Sequence, residues 1–77
     1  MDAEGAVRTV FKELEIDTDG VHGATRLRED LQVDSTELVE IALALERAAP
    51  VVIGTDEILA VRTFAELVTV VDNAPRR

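Results

Sequence analysis

Apolar residues recur at three-and-four spacing in three separate stretches of the chain, and each stretch predicts an amphipathic helix. Over residues 3–15, Ala3, Ala6, Val7, Val10, Phe11 and Leu14 form one stripe, with Arg8, Lys12, Glu13 and Glu15 on the other faces. Gly5 weakens the first turn slightly, and Asp17-Thr18-Asp19-Gly20 supplies the turn chemistry that stops the helix. From Ser35 to Ala49 a second stripe runs through Leu38, Ile41, Ala42, Leu45 and Ala49, and Pro50 disfavours helix at the residue before it. Thr63-Phe64-Ala65-Glu66 has the spacing of a capping box and opens a third stripe of Phe64, Leu67, Val68 and Val71. Asn73 and Pro75 end that helix and leave Arg76-Arg77 as a frayed tail.

The segments between these stripes are less regular. Residues 17–33 make a long connection, which in so small a chain is usually either functional or wrongly assigned. Leu27 and Leu31, four apart among Arg26, Arg28, Glu29 and Asp30, predict a short helical turn pinned to the core. Val51-Val52-Ile53-Gly54 is too short and isolated to need a sheet and reads as a buried loop segment. Thr55 then caps a short helix of one to two turns, with Ile58 and Val61 facing inward. The expected fold is all-α: a small four-helix bundle of three main helices plus one short helix, with a long first loop, forming a single domain over residues 1–77. Its core is almost wholly aliphatic, since Phe11 and Phe64 are the only aromatic residues.

The stretch Glu29-Asp30-Leu31-Gln32-Val33-Asp34-Ser35-Thr36-Glu37-Leu38-Val39-Glu40 ends the long loop and opens the second helix. Asp34 is a good N-cap residue, and Glu37 stands three positions on, where a capping-box acid reaches back to the cap's own N–H. If Asp34 caps, Ser35 is the first helical residue and its hydroxyl is left free. A phosphate on that oxygen would lie over unpaired helix N–H groups and the positive end of the helix dipole. The plainer alternative is that Ser35 is itself the cap.

Charge sharpens the picture. The chain carries a formal −8, and residues 29–46 hold six acids and no base, against ten acids and eight bases in the remainder. The acidity is therefore concentrated around Ser35. Repulsion excludes nucleic acid from that face, while a basic patch on a partner protein is favoured through faster encounter and orientation. On the outward side of the second helix, Thr36, Val39, Glu40, Leu43 and Arg47 lie at helical spacing. Two apolar residues, Val39 and Leu43, thus stand on one strip rimmed by carboxylates, the composition of a docking site. A solvated acidic face that keeps the protein in solution is the plainer account of the charge.

Other chemistries find little support. With no cysteine there is neither a disulfide framework nor a thiolate metal site. A lone histidine, His22 in a Gly-flanked loop, argues against a His-based metal cluster or a Ser-His-Asp triad within this chain. No apolar run approaches the ~20 residues of a membrane span. The acidic Met1-Asp2-Ala3-Glu4 start lacks the basic region of a secretory signal, so a cytoplasmic protein is expected.

Taken together, Glu29-Asp30-Leu31, Asp34-Ser35, Leu45-Glu46, Thr55-Asp56-Glu57 and Thr63 resemble, in kind and spacing, the acyl carrier proteins, and the resemblance covers nearly the whole chain. That family is a four-helix bundle whose Asp-Ser-Leu motif carries 4′-phosphopantetheine on the serine. The resemblance implies that Ser35 receives this group from coenzyme A, with Asp34 near the metal ion that a separate phosphopantetheinyl transferase supplies. It also implies a partner-recognition face of Thr36, Glu37, Val39, Glu40, Leu43, Glu46 and Arg47. Leu27, Leu38 and Val61 would line any acyl cavity. Expected partners are the transferase and acyltransferase, ligase or ketosynthase-type enzymes with basic docking patches; the carrier itself is expected to be a monomer and not an enzyme. Thioester carriage needs a thiol, and a chain without cysteine must take it from a prosthetic group.

Two residues depart from the family pattern. Thr36 stands where the family usually has leucine, and Gln32 where it often has glycine. If the latter site needs positive φ, Gln costs on the order of 1 kcal/mol there. Both point away from general fatty-acid synthesis and toward a dedicated partner set, such as a stand-alone carrier of polyketide assembly. A peptidyl or aminoacyl carrier of nonribosomal assembly is the first alternative. A non-carrier acidic adaptor binding a basic partner is the second.

Overall fold

The computed structural model describes residues 2–76 and contains the helices α1 (Ala3–Glu13), α2 (Leu27–Leu31), α3 (Ser35–Ala48), α4 (Thr55–Leu59) and α5 (Phe64–Asn73). β-type pairing among the described residues is limited to two isolated antiparallel bridges, Arg26 with Thr63 and Val51 with Arg76. α1 packs on α3 and α5, and α4 packs on α3 and α5. The all-α bundle expected from the three apolar stripes is the fold, with the Leu27–Leu31 turn present as a helix of five residues.

Each long helix starts at a side-chain cap. Asp2 accepts from the Gly5 N–H at 2.6 Å, a cap not read from the sequence. Thr63 accepts from the Glu66 N–H at 3.2 Å while Glu66 accepts from the Thr63 N–H at 3.1 Å, completing the expected capping box of α5. α4 differs: its N-cap is Gly54, with no side-chain hydrogen bond, and Thr55 is the first helical residue rather than the cap.

α1 stops at Glu13, two residues short of the expected end. Glu15 adopts φ 60, so that its N–H reaches the Lys12 carbonyl at 3.1 Å and the Ile16 N–H reaches that of Phe11 at 2.8 Å. This pair of bonds is the Schellman arrangement, which satisfies orphan carbonyls at a helix end. The turn residues Asp17 to Gly20 come after the stop has already been made.

Gln32 at the end of α2 also lies in the left-handed region, at φ 57 and ψ 34. The Leu27 carbonyl there accepts the N–H groups of both Gln32 and Val33, the latter at 3.0 Å. A side chain with a Cβ is strained in this conformation, and glycine is not. Gln32→Gly is expected to stabilise the fold by about 1 kcal/mol, a rise of roughly 4–8 °C in Tm for a domain of this size. Thermal denaturation followed by circular dichroism checks this; an unchanged or lowered Tm would show that the chain entropy of glycine outweighs the relieved strain.

The long first loop is stitched to the α4–α5 connection by backbone bonds. The Leu27 N–H donates to the Arg62 carbonyl at 2.9 Å, the Phe64 N–H to that of Thr25 at 2.9 Å, and the Ala65 N–H to that of Gly23 at 3.0 Å. Thr25 is buried, and its hydroxyl oxygen accepts from the His22 N–H at 2.9 Å. These bonds give the buried part of the loop partners for its backbone without placing it in a sheet.

The expected stripes form the core. Val7, Val10 and Phe11 of α1, Leu38, Ile41 and Leu45 of α3 and Leu67 of α5 are fully buried, and Leu27 of α2 joins them. Ala44 is also buried, so the inward face of α3 is broader than the stripe read from the sequence. Phe11 and Phe64 meet edge to face, with ring centroids 5.9 Å apart at 76°. The Arg8 guanidinium carbon sits 4.9 Å from the Phe64 ring centroid and seals the outer side of that pair.

Two loop expectations change. Val51 and Ile53 are buried as expected, but Val52 between them is exposed, because the segment is extended and alternates its side chains. Arg76 is not part of a frayed tail: its backbone bridges to Val51, and the Val52 N–H donates to the Pro75 carbonyl at 2.9 Å. Arg77 lies outside the described residues.

Candidate functional site

The start of α3 is built as the local sequence requires. Asp34 has extended backbone, and its Oδ1 accepts from the Glu37 N–H at 2.8 Å. Glu37 Oε1 accepts in return from the Asp34 N–H at a longer 3.4 Å. Asp34 is therefore the cap, and Ser35 is the first residue of the helix. The alternative in which Ser35 caps its own helix is overturned by this geometry.

Ser35 is exposed, and its hydroxyl takes part in no hydrogen bond among the described residues. A serine left out of its helix's capping is an oxygen available for other chemistry. Beside it, the Ser35 and Thr36 N–H groups have no acceptor among the described residues, whereas the cap takes the Glu37 N–H. The positive end of a 14-residue helix dipole points at the same spot. A phosphodiester on Ser35 Oγ fits here: it would be exposed, would displace no existing bond and would meet unpaired donors.

The strip expected to meet partners divides in two. Thr36, Glu40, Leu43 and Arg47 are exposed, with Leu43 at 51% the most exposed large apolar residue among the described residues. Val39 and Glu37 are half-buried. Glu46 is also half-buried, and its Oε2 accepts from the Ile53 N–H at 2.8 Å. Its carboxylate thus ties the end of α3 to the following loop, a role not read from the sequence, where Glu46 was placed on the partner face. The exposed apolar surface of the strip centres on Leu43, flanked by Glu40 and Arg47.

On the other side of Ser35, the α2 acids are tied down by one arginine. Asp30 Oδ1 lies 3.2 Å from Arg26 Nη2, Asp30 Oδ2 accepts from the Arg26 N–H at 2.8 Å, and Glu29 Oε2 stands 3.9 Å from Arg26 Nε. The Arg26 backbone N–H, and then its guanidinium, hold the Asp30 carboxyl below the ordinary carboxylate value. A carboxyl depressed in the folded state stabilises the fold above its unfolded pKa, and this contribution is lost as pH falls through the lowered folded value. The pairing of Asp30 with Arg26 therefore persists at neutral pH and weakens only under acid.

Leu27, Leu38 and Val61 are all buried. Among the described residues, no group of three or more His, Asp or Glu side chains is placed to hold a metal ion, and no helix is long and apolar enough to cross a membrane.

Comparison with known proteins supplies what geometry alone does not. A family model described as a phosphopantetheine attachment site matches residues 6–71 of the chain. An acyl carrier protein of Helicobacter hepaticus is 29% identical over 69 residues, a span covering 90% of this chain and 91% of that protein.

Proposed function

The chain belongs to the acyl carrier protein family, whose covalently held group is 4′-phosphopantetheine, and from that premise we propose that Ser35 is the residue that bears it. The observation carrying this reading is that Asp34 performs the capping, which leaves the only serine of the chain exposed and unbonded at the helix start. In the transfer, Ser35 Oγ forms a bond to the phosphorus of coenzyme A, the adenosine bisphosphate leaves, and the hydroxyl proton passes to a base of the transferase. The attached arm supplies the thiol on which cargo is held as a thioester. Asp34, whose Oδ1 serves the cap, would lie near the metal ion that the transferase supplies.

The carrier delivers acyl groups within polyketide or related specialised biosynthesis, acting as a monomer in the cytoplasm. Thr36 supports a dedicated partner set: it is exposed beside Ser35 and offers a partner a short polar contact where the family usually presents leucine. An aminoacyl cargo is the second possibility, and the mass of the protein recovered from its native host with cargo attached separates the two. Incubation with coenzyme A and a broad-specificity transferase is expected to add the mass of one phosphopantetheinyl group. No gain would refute the carrier reading for this chain.

Partners dock on the exposed strip of α3. Leu43→Asp is expected to lower the rate of transfer to a partner enzyme at least tenfold, as loss of a buried apolar anchor does, while changing stability by no more than about 0.5 kcal/mol, as for an exposed site. Transfer assayed by mass spectrometry, with a parallel urea titration, checks both. Val39→Asp tests the same strip less cleanly, because Val39 is half-buried and the variant also loses packing. Wild-type transfer rates for Leu43→Asp would move the docking face elsewhere.

A further inference from the structure

A groove of about 670 Å³ runs between α2 and the α4–α5 connection, and its charge is opposite to that of the molecule. Its walls carry Arg26, Arg28 and Arg62 against one acid, Glu29, and Leu59 and Val61 contribute apolar surface. Arg26 is occupied by Asp30 and Glu29, whereas Arg28 and Arg62 form no ion pair among the described residues. Both side chains are exposed, and Leu59 beside them is a large apolar residue 37% exposed. In a chain of net −8, two uncompensated guanidinium groups flanking one depression form a local site for an anion.

The groove adjoins the segment of chain that leads to the attachment point. Its two walls are joined by the Leu27 N–H to Arg62 carbonyl bond at 2.9 Å, and the Val33 N–H reaches the Leu27 carbonyl at 3.0 Å. Ser35 follows Val33 by two residues, at most about 7 Å of chain. The hydrogen-bonded backbone that joins the groove walls therefore ends two residues before the serine.

We propose that the Arg28–Arg62 groove is a resting site for thioester cargo ending in a carboxylate, carried on the chain's own arm. This rests on the attachment at Ser35 proposed above. Two anions are tethered there in a loaded protein, the phosphodiester and the free carboxylate of a dicarboxylate-derived acyl group. The phosphodiester is anchored on Ser35 Oγ at the start of α3, where helix N–H groups meet it. The terminal carboxylate is at the mobile end and is free to reach the arginines. Leu59 and Val61 offer contact to the short apolar part of the cargo, and the two guanidinium groups hold its end. Cargo without a charge gains only the apolar contact.

The test uses the full chain loaded on its arm with malonyl or with butyryl, similar in length and differing in the terminal charge. Mass spectrometry first establishes loading; failure to load in any form refutes attachment and is thereby distinguished from failure of the groove. Amide chemical shifts are then compared. Malonyl loading is expected to shift the amides of residues 26–29 and 59–63 beyond butyryl loading, with the excess shrinking as salt is added. Arg28→Ala and Arg62→Ala, both at exposed positions, are expected to abolish the excess without changing the loading. Equal shifts for the two cargoes would overturn the proposal by assigning them to the arm or its phosphate. Absence of shifts in the groove, or an excess that survives both substitutions, would overturn it as well.

Discussion

Ser35→Ala is expected to abolish the mass gain on incubation with coenzyme A and a broad-specificity transferase, while the parent chain takes up one phosphopantetheinyl group. The expected effect is complete, since Ser35 is the only serine and the chain has no cysteine. The structure makes this substitution a clean one. Asp34 caps α3 through its own side chain, so removing the Ser35 hydroxyl leaves both bonds of the capping box in place. Ser35 is exposed and its oxygen bonds to nothing described, so no buried partner is orphaned. Alanine is also the better helix former at that position. The variant should therefore melt within about 0.5 kcal/mol of the parent, and lost modification cannot be put down to lost folding. A mass gain that persists in Ser35→Ala would transfer the attachment to another hydroxyl, with adjacent exposed Thr36 the first to be mapped, and would end the reading of this helix start.

The same contrast between local and distant determinants explains how much of this molecule was legible in its residues. Helix stripes and capping boxes are local: Asp34 with Glu37 and Thr63 with Glu66 stand three apart and need nothing else to form. The site's main feature, a serine freed by its neighbour, is of this kind. Features formed across the chain left no local mark. Arg76 pairs with Val51 through backbone groups, and the Glu46 carboxylate accepts from the Ile53 backbone N–H, so the side chains of Val51 and Ile53 give no hint of either contact. The basic groove assembles Arg28 and Arg62, which are 34 positions apart and lie together because the long loop is stitched to the α4–α5 connection. The end of α1 was misplaced for a different reason. Its left-handed residue is Glu15, not glycine, so the stop carries no composition signal, whereas the same conformation at Gln32 is signalled by the glycine that the family often has there.

The fold that presents Ser35 is expected to fail at one point before any other. Phe11→Ala should cost about 3–5 kcal/mol, the usual range for emptying a buried phenylalanine site. For 77 residues the whole stability is of the order of 4–12 kcal/mol, from about 0.05–0.15 kcal/mol per residue. The substitution therefore removes a large part of it. Phe11 is fully buried on α1, which packs on both other long helices, and its ring is the edge partner of Phe64. The surrounding core is aliphatic and cannot supply another ring to fill the space. Phe11→Leu keeps most of the volume but loses the aromatic pair, worth about 0.5–1.5 kcal/mol beyond burial. It should fall between the parent and the alanine variant. Urea denaturation followed by circular dichroism ranks the three, and Leu43→Ala on the exposed strip serves as a control that should move little. If Phe11→Ala and Leu43→Ala lost equal stability, α1 would not be the element around which the bundle closes. If Phe11→Leu matched Phe11→Ala, the edge-to-face contact rather than the filled volume would be what holds α1 against α5.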